Sequence, residues 1–428
     1  MALIEDIIKE NLQDASEVLY EKINGDREVP VYLHDALLTP EYSVDMTYES
    51  LSGEFSRVTA DVVSFDSPLP IKKRSSIKSA AGDIPKLGLK FTMNEKQMNN
   101  LRILSMTPKT KSQLAAKIFN DSENCIYGIK ELLDQMLLSS ISSQAMLIPE
   151  EGNTGTAVRL SYDVNKDNVF GAVDKWSGSD AKPISDIKRI IRAARDKGVI
   201  LREIWMDVYT METLLSNQQV RDNYAFTQNF VGANVPNLLE EQLILLFSSV
   251  LKVNLNVIDR SFTKEKNGKR TVVEGWEPNQ VVFTPSKDLG KLFWSTCAEE
   301  FLPVEGVVYA KPNDYILLSM SGKTDPVSHQ TSGQAIVAPI LQDVDAIFYL
   351  DVEEAATDVQ TEGDANFDYT TTGGVTAVYT RSSVIDALNL ASKKSKATVE
   401  NTDEELLDKI NALSDKQIET FEANIVAV

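Results

Sequence analysis

One long amphipathic segment, Ser122 to Met146, constrains the fold of this chain more than any other feature. Its apolar residues recur at the three- and four-residue spacing that marks one face of a helix. They are Ile126, Ile129, Leu133, Met136, Leu137, Ile141 and Ala145. Lys130, Glu131 and Asp134 fall on the other side, and the opening serine is placed to cap the N-terminus. A helix of this length spans roughly 35–40 Å. Because it has one apolar stripe, we expect a sheet or another subunit packed against it.

The strongly acidic composition argues against one broad class of function. The chain has 428 residues, and 43 Lys and Arg stand against 63 Asp and Glu, which leaves a formal net charge of −20. A protein whose main surface binds nucleic acid phosphates requires the opposite sign. The length allows about two or three domains and a large buried core.

The cysteines and the apolar segments indicate a cytoplasmic protein. Cys125 and Cys297 are too few for a disulfide framework, and we expect both to be reduced core residues. The first twelve residues carry three acidic side chains among apolar ones, unlike a signal peptide. The most apolar run, Leu243 to Val250, is far too short to cross a bilayer. We therefore expect no association with a membrane.

Between residues 54 and 100 the chain changes to short β-prone runs with a basic segment. Seven basic residues lie between Leu69 and Lys96 against two acidic ones, the sharpest local charge contrast in the sequence. The candidate contact residues in this predicted β-hairpin are Lys72, Lys73, Arg74, Lys78 and Lys86. Aromatic residues do not alternate with these charges, which disfavours nucleic acid binding. A solvated loop is the simple alternative, and we favour contact with an acidic surface on a neighbouring copy.

The middle of the chain predicts an α/β segment. Pro183 near a helix start, an apolar periodicity after it and Gly198 just past the end together predict one helix. Residues 199–209 then predict a strand, and Thr210 is placed to cap a further helix.

The later part of the chain predicts short strands followed by a separate unit. Alternation over 251–257 predicts a half-buried strand, and Asn267-Gly268 between two β-prone runs predicts a two-residue hairpin. Residues 353–374 are acidic, rich in Thr and Gly, and poor in apolar residues, which predicts a linker. Residues 375–428 predict a small helical unit in which two capping boxes begin short helices.

The sequence patterns that usually carry catalysis are missing from this chain. His34 and His329 have no Cys or carboxylate at ligand spacing, which argues against a metal site. No phosphate-binding glycine loop and no Gly-x-Ser-x-Gly nucleophile turn occurs. We therefore predict no enzymatic activity, no metal and no cofactor.

Four stretches of the chain carry a family resemblance. Residues 60–91 look like an extended β-hairpin loop, and 176–187 like a Trp…Asp…Pro/Asp-x-Ile lead into a helix. Residues 251–290 combine a strand, a hairpin and a Leu-Gly stop, and 311–352 look like closing strands with Asp-Pro and Ala-Pro pairs. In this order they resemble the major capsid proteins of tailed bacteriophages, specifically the lambda-type major capsid protein E family. One departure is Phe262, where that family usually has a tyrosine.

The resemblance implies an α+β fold of the Hong Kong 97 type. Its implied parts are an N-terminal arm (1–53), an extended β-hairpin loop (54–100), a peripheral domain with a long spine helix (101–248), an axial domain with closing strands that partly return to the peripheral domain (249–352), a linker (353–374) and a C-terminal helical extension (375–428). The implied site residues are Trp176, Pro183, Asp186 and Ile187, which would pack in the peripheral domain, and Asn267 and Gly268, which would form an axial-domain hairpin.

The resemblance also implies a structural role without catalysis. Copies would assemble into pentamers and hexamers that form an icosahedral head shell in the bacterial cytoplasm, enclosing double-stranded DNA without sequence-specific binding. Because no long helical segment precedes the arm, we expect a separate scaffolding protein, with a portal and decoration proteins as further partners.

Two alternatives belong to different classes of function. A nanocompartment shell of the encapsulin type would use the same fold and form small closed particles filled with protein rather than DNA. An oligomeric enzyme of an unrelated α+β fold would show turnover or a bound cofactor.

Overall fold

The computed structural model divides the chain into two compact units, Met1–Ala355 and Ala356–Val428. The residues that it describes are 32–53, 77–105, 111–148, 158–162, 164–227, 238–266, 269–355, 366–370, 376–380 and 403–422, together with Gln13, Ser16–Val18, Tyr20, Glu21, Ile23, Val384, Ile385 and Ala387–Asn389.

The described part of the chain contains both helices and strands, which confirms the predicted α+β class. The helices are α1 (Leu33–Leu37), α2 (Glu95–Ser105), α3 (Lys111–Ser143), α4 (Pro183–Asp196), α5 (Val208–Ser216), α6 (Gln218–Thr227), α7 (Glu240–Leu246), α8 (Ala298–Phe301), α9 (Asp403–Asn411) and α10 (Asp415–Glu422). The strands are β1 (Leu38–Tyr42), β2 (Thr47–Gly53), β3 (Ile77–Asp83), β4 (Lys86–Asn94), β5 (Ala145–Ile148), β6 (Val158–Ser161), β7 (Val169–Ala172), β8 (Glu203–Asp207), β9 (Asn254–Ile258), β10 (Ser261–Lys266), β11 (Lys269–Glu274), β12 (Gln280–Thr284), β13 (Gly290–Ser295), β14 (Val307–Ala310), β15 (Ile316–Thr324), β16 (Val327–Leu341), β17 (Phe348–Ala355), β18 (Asn366–Thr370) and β19 (Thr376–Thr380).

The first core lies between α3 and a six-stranded sheet. The strand order is β1-β13-β16-β15-β14. Two strands share the long strand β16: β13 pairs with its C-terminal part, Ile336–Leu341, and β4 pairs with its N-terminal part, Ser328–Ile336. The residues of the predicted apolar stripe of α3 from Ile126 to Ile141 are each no more than 1% exposed and belong to the same core as this sheet. A Cβ added to Gly333 of β16 would lie 2.7 Å from the Cβ of Cys125, so the glycine allows helix and sheet to approach closely. The predicted packing of a long helix on a sheet is confirmed.

Helix α3 differs from its predicted bounds at both ends. It begins at Lys111, so Ser122 lies buried inside it and is not the cap that the sequence predicts. It ends at Ser143 because Gln144 has a left-handed φ of 59°, and the following residues form β5 rather than a last helical turn. The predicted polar side is also wrong, since Lys130 and Asp134 are 3% and 0% exposed.

The second core surrounds a five-stranded sheet with the order β7-β17-β12-β8-β9. Helix α4 lies on it and begins at Pro183, and Gly198 beyond its end has a φ of 79°, as predicted. Strand β8 is buried along its whole length between β12 and the parallel strand β9. The implied domain boundary at 248/249 therefore runs through one sheet, because β8 precedes it and β9 follows it.

Two details of the predicted α/β segment need correction. The strand is shorter than predicted and covers Glu203–Asp207. Helix α5 begins at Val208 with Asp207 as its N-cap residue, so Thr210 is not the cap. The Thr210 hydroxyl instead donates a hydrogen bond back to the Asp207 carboxylate from within the first turn.

The predicted hairpin loop is built from other strands than the sequence suggests. Strand β2 pairs antiparallel with β3, so the arms of the hairpin are 47–53 and 77–83, and residues 54–76 lie outside the described part. Strands β3 and β4 follow one another along the chain but do not pair with each other. Strand β4 pairs instead with β16, and the Ala-Ala-Gly sequence lies inside β3.

The C-terminal unit has a core of its own. Its buried apolar residues are Val384, Ile385, Ala387, Leu388, Leu406, Ile410 and Phe421. Strands β18 and β19 form an antiparallel hairpin, so the predicted linker is wrong over 366–370 and the extension is not wholly helical. One half of the predicted capping box at Ser414 is present at the start of α10, where the Ser414 amide donates a hydrogen bond to Gln417 Oε1 at 3.1 Å. In place of the other half, the Ser414 hydroxyl donates to the same oxygen.

Candidate inter-subunit interface

The structure separates the basic residues that the sequence grouped in one hairpin. Lys72, Lys73 and Arg74 lie outside the described residues, between the two hairpin strands. The backbone of Lys78 pairs with Ser52 inside the hairpin. Lys86 is exposed, but it belongs to β4 of the main sheet.

The base of the hairpin is tied to the first core by hydrogen bonds. Ser50 Oγ donates to the carbonyl of Leu341 at 2.6 Å, and Gln342 Nε2 donates to the carbonyl of Glu49 at 2.9 Å. Tyr48 lies across Gly82 of the facing strand, where a Cβ would come within 2.6 Å of the tyrosine hydroxyl. The hairpin therefore leaves the body in a defined direction.

An open groove with a volume of about 570 Å³ runs beside the hairpin base. It is lined by Glu41, Tyr42, Ser43, Val44, Asp45, Thr47, Tyr48, Glu49, Lys291, Phe293 and Gln342. Lys291 forms an ion pair with Glu41, which leaves the carboxylates of Asp45 and Glu49 in excess. Hydrogen bonds from the hydroxyls of Ser43 and Thr47 lower the pKa of Asp45, so it is ionised at neutral pH.

A buried network of charged groups holds the N-terminal segment against α3. The fully buried Asp134 carboxylate accepts hydrogen bonds from the backbone amides of Leu33 (3.1 Å) and His34 (2.9 Å). It also accepts from His34 Nδ1 at 2.5 Å and from Arg260 Nη2 at 2.7 Å. One carboxylate therefore joins the start of α1, the middle of α3 and the residue before β10.

The same network includes a second ion pair, which joins the buried Lys130 to the partly exposed carboxylate of Asp35. Lys130 Nζ lies 2.6 Å from Asp35 Oδ2 and 4.4 Å from the centroid of the Tyr20 ring. The Tyr32 hydroxyl donates to Glu131 Oε1 at 3.1 Å. Burial and the neighbouring Glu131 carboxylate raise the pKa of Tyr32 far above its usual value, so it stays a neutral donor.

Burial by itself raises the pKa of Asp134, because a carboxylate loses its hydration there. Hydrogen bonds and charge attraction from His34, and the hydrogen bond from Arg260, outweigh that effect and hold the pKa of Asp134 below its usual value. Burial likewise lowers the pKa of Arg260, and the Asp134 carboxylate more than restores it. Both groups are therefore charged at neutral pH, and His34 Nδ1 must be a donor because ionised Asp134 can only accept.

The structure brings the four predicted residues around α4 together in the second core, away from α3. Trp176 Nε1 donates to Asp186 Oδ2 at 3.2 Å, and the backbone amide of Val173 donates to Asp186 Oδ1 at 3.2 Å. Trp176, Pro183, Asp186 and Ile187 are all buried. They fix the start of α4 and offer no surface to a partner.

The predicted Asn267-Gly268 turn lies outside the described residues. Its two flanking strands, β10 and β11, pair with Lys266 opposite Lys269, the register that a two-residue connection requires. The buried Phe262 at the base of this hairpin belongs to the first core and lies close to Gly275.

Metal and thiol chemistry find no support in the described part of the chain. Among those residues no three His, Cys, Asp or Glu side chains stand together as a metal site would require. Both cysteines are free and buried, and burial raises the pKa of Cys125 to about 12. The helices of the described part include none that is both long and apolar enough to cross a membrane.

Comparison with known proteins identifies the family. The sequence model described as "Phage major capsid protein E" matches residues 15–352. The chain belongs to the phage major capsid protein E family. Its role is therefore that of a head-shell subunit of a virion, and its α+β fold is that of this capsid family. No curated protein matches the chain.

Solved structures similar to this capsid protein include phage-related proteins. One, described as a candidate capsid protein of a prophage from E. coli CFT073, is 13% identical with a TM-score of 0.48, over 78% of this chain and 98% of that one. A phage-related protein from Bordetella bronchiseptica is 12% identical with a TM-score of 0.45, over 78% and 96%. The holo-SrpI encapsulin from Synechococcus elongatus is 10% identical with a TM-score of 0.38, over 79% and 93%.

Sequence reasoning missed the network around Asp134. One signal was present, because Lys130 and Asp134 lie within a segment of α3 that is otherwise strongly apolar. Their partners follow from the fold alone, since His34 is 100 residues and Arg260 is 126 residues from Asp134.

Proposed function

We propose that copies of this capsid protein assemble as hexamers and pentamers into a closed icosahedral head shell around double-stranded DNA. The observation that carries the proposal is the family match over residues 15–352. The structure supports it with a body in which one sheet lies along a 33-residue helix, and with a hairpin anchored at its base. In this proposal the first core, which contains the long helix α3, is the peripheral domain and the second core is the axial domain, so the four residues around α4 would pack in the axial domain and not, as the resemblance implies, in the peripheral one.

The acidic charge fits the proposed content of the shell. A net charge of −20 gives packaged DNA no strong attachment, because both carry negative charge. The shell would enclose DNA without binding particular sequences and would catalyse no reaction. A scaffolding protein, a portal and decoration proteins are the partners that we propose, with assembly in the bacterial cytoplasm.

The basic segment of the hairpin is proposed to contact acidic surface on a neighbouring copy. Lys72, Lys73 and Arg74 stand together in an acidic chain, and reversing them to Glu replaces attraction by repulsion. We expect the triple variant to form no closed shells when particles are counted by electron microscopy.

A variant with an equal change of charge elsewhere is the control for this experiment. Lys175, Lys188 and Lys287 are exposed, and their reversal to Glu should leave shells intact. If the hairpin variant assembled as well as this control, the charge-pairing hypothesis would be wrong.

Negative-stain electron microscopy and light scattering of the purified protein test the proposed function directly. Closed shells, tubes or capsomer-sized rings support it, and particles filled with protein instead of DNA would favour the nanocompartment alternative. A chain that stays monomeric, both alone and with a phage scaffolding protein, would contradict it.

A further inference from the structure

The outer face of α4 carries a row of positive charges. Lys188, Arg192 and Arg195 are exposed, and within the part of the chain that the structure describes their side chains form no hydrogen bond and no ion pair. They are four and then three residues apart, so they lie within about 60° of one another around the helix and span roughly 10 Å along it. In a chain with a net charge of −20, this row is a local exception.

Two other cations of the same segment are used to hold the helix in place. Arg189 Nη2 donates to the carbonyl of Gly171 at 2.6 Å and forms an ion pair with Asp186. Lys197 Nζ donates to Asn168 Oδ1 at 2.7 Å. These contacts join α4 to β7 and to the turn before it, so the row of cations lies on a fixed support. A preformed surface costs less ordering on binding.

Helix α4 lies on the side of the second sheet that faces away from the first core. Ile204 of β8 and Phe348 of β17 belong to the second core together with the helices. Trp205 and Tyr349, the next residue in each strand, belong to the first core. Because successive residues of a strand point to opposite faces of the sheet, α4 covers one face and the first core adjoins the other. The row of cations is therefore on the outer side of the helix layer.

We propose that this row binds phosphates of the packaged double-stranded DNA, in a weak contact without sequence preference. The inference rests on the proposed shell function and names the surface of the subunit that meets its content. It places the outer face of α4 on the inner side of the shell.

The composition of this face favours a phosphate backbone over a protein partner. The isoleucines of α4 are all buried in the second core, so the exposed positions of the helix are polar or charged. A protein interface has apolar and aromatic residues at its centre and few charges, which this face lacks. One exposed carboxylate, Asp196, lies at the end of the helix and leaves the face with a positive net charge. Arg and Lys side chains contact phosphates without reading the sequence.

The length of the row sets the expected strength of the contact. One strand of a duplex carries a phosphate about every 3.4 Å along the axis, so roughly 10 Å corresponds to about three phosphates. Neutralising three phosphates should lower the affinity by about 40-fold between about 50 and 200 mM salt. One copy therefore binds weakly, and the contact gains strength only from the many copies in a shell.

Charge reversal on α4 tests the contact in the full-length protein. Binding is measured by fluorescence anisotropy at about 50 mM salt with labelled duplexes of two unrelated sequences. We expect K188E/R192E/R195E to bind both duplexes at least about tenfold more weakly than the wild type. The control K269E/K287E/K323E changes the charge equally at exposed positions on other elements and should bind as the wild type does. A folded α4 variant that binds as well as the control, or a wild type that does not bind, would overturn the inference.

Photo-cross-linking in particles that contain DNA identifies the partner directly. The natural cysteines are buried, so a benzophenone maleimide should label Arg192→Cys selectively. Irradiation should then join the protein to DNA, in adducts that a nuclease shortens. Lys287→Cys, labelled in the same way, is the matched control and should give few such adducts. Adducts that join two copies of the chain instead would make this face a contact with an acidic second copy and would overturn the inference.

Shell formation separates this inference from the proposed function. The α4 variant should still form closed shells, because the row does not take part in subunit contacts. A variant that binds DNA normally but forms no shells would overturn the inference and leave the shell function standing. A wild-type protein that forms no particles would contradict the shell function itself, whatever its affinity for DNA.

Discussion

Asp134 carries a full charge with none of its surface exposed, and its neighbours supply what water would otherwise provide. Two backbone amides, His34 Nδ1 and Arg260 Nη2 surround the carboxylate. Removing one partner from a buried charge pair is costly, because the remaining charge stays without compensation. The stability of the first core therefore depends strongly on this one side chain.

Asp134→Asn keeps the shape and removes the charge. We expect it to lower the free energy of unfolding by about 3 kcal/mol, since Arg260 then remains partly buried opposite a neutral amide. Urea unfolding followed by tryptophan fluorescence measures this change. The control Asp174→Asn, at an exposed position, should change the free energy by less than about 0.5 kcal/mol. Equal effects of the two substitutions would refute a central role for Asp134.

The dependence of stability on pH should carry the signature of the same carboxylate. The pKa of Asp134 is lower in the folded chain than its unfolded value of 3.8. Its contribution is therefore complete above that unfolded value and is lost as the pH falls through the folded pKa. We expect the stability difference between the wild type and Asp134→Asn to be constant from pH 7 to about pH 5 and to shrink below about pH 4. A difference that grew on acidification would contradict this assignment.

At the scale of single residues, sequence patterns predicted the apolar stripe of α3 but placed Lys130 and Asp134 in solvent. Charged residues on a helix are usually exposed, and a pattern along one segment contains no information about a partner 100 residues away. The buried network required the fold to bring three distant segments together, so the local signal at Lys130 and Asp134 could not reveal their partners.

Among the elements, the contact between α3 and β16 depends on the absence of one side chain. Gly333 faces Cys125, and an added methyl group would lie 2.7 Å from the Cys125 Cβ and 3.4 Å from a methyl of Leu318. Neither the helix backbone nor the middle of the sheet can move away without disturbing the rest of the core.

Gly333→Ala should therefore lower the free energy of unfolding by about 1–3 kcal/mol through overpacking. Gly322→Ala in the neighbouring strand β15 is the matched control, because nothing lies within 4 Å of a Cβ there. Thermal unfolding followed by circular dichroism compares the two variants. Equal stability of both would show that α3 and β16 have room to separate.

The sequence predicted the bounds of an element well where residues at its own ends determine them. It predicted the pairing of strands poorly, because contacts between distant segments determine that. Helix α4 begins at Pro183 and stops before Gly198 as predicted, because both residues act through their own backbone. The pairing of β4 with β16 could not be predicted, because nine residue pairs join segments more than two hundred positions apart.

At the scale of the whole molecule, the chain consists of a family body with an appended unit. The family match ends at residue 352, and the compact unit that follows has its own core around Phe421. The core of this unit has no buried residue in common with either of the two cores of the body.

Deletion of residues 356–428 should consequently leave the body folded and able to assemble. Electron microscopy should show particles of unchanged diameter, and thermal unfolding of the body should be unchanged. The isolated unit, expressed alone, should show the circular dichroism of a folded domain. Loss of particles from a truncated chain that is still folded would instead assign the unit a part in assembly.

The pairing of β4 with β16 has a mechanical consequence. The hairpin arm β3 continues through Ile84 and Pro85 directly into β4, so a pull on the projecting hairpin is transmitted along β4. Nine antiparallel residue pairs join β4, from Lys86 to Asn94, to β16. A force along β4 acts on all of their hydrogen bonds in shear, so these bonds must break together instead of one after another. In a shell under internal pressure, tension on the hairpin of each subunit would therefore pass through β4 into β16, and from β16 onto α3.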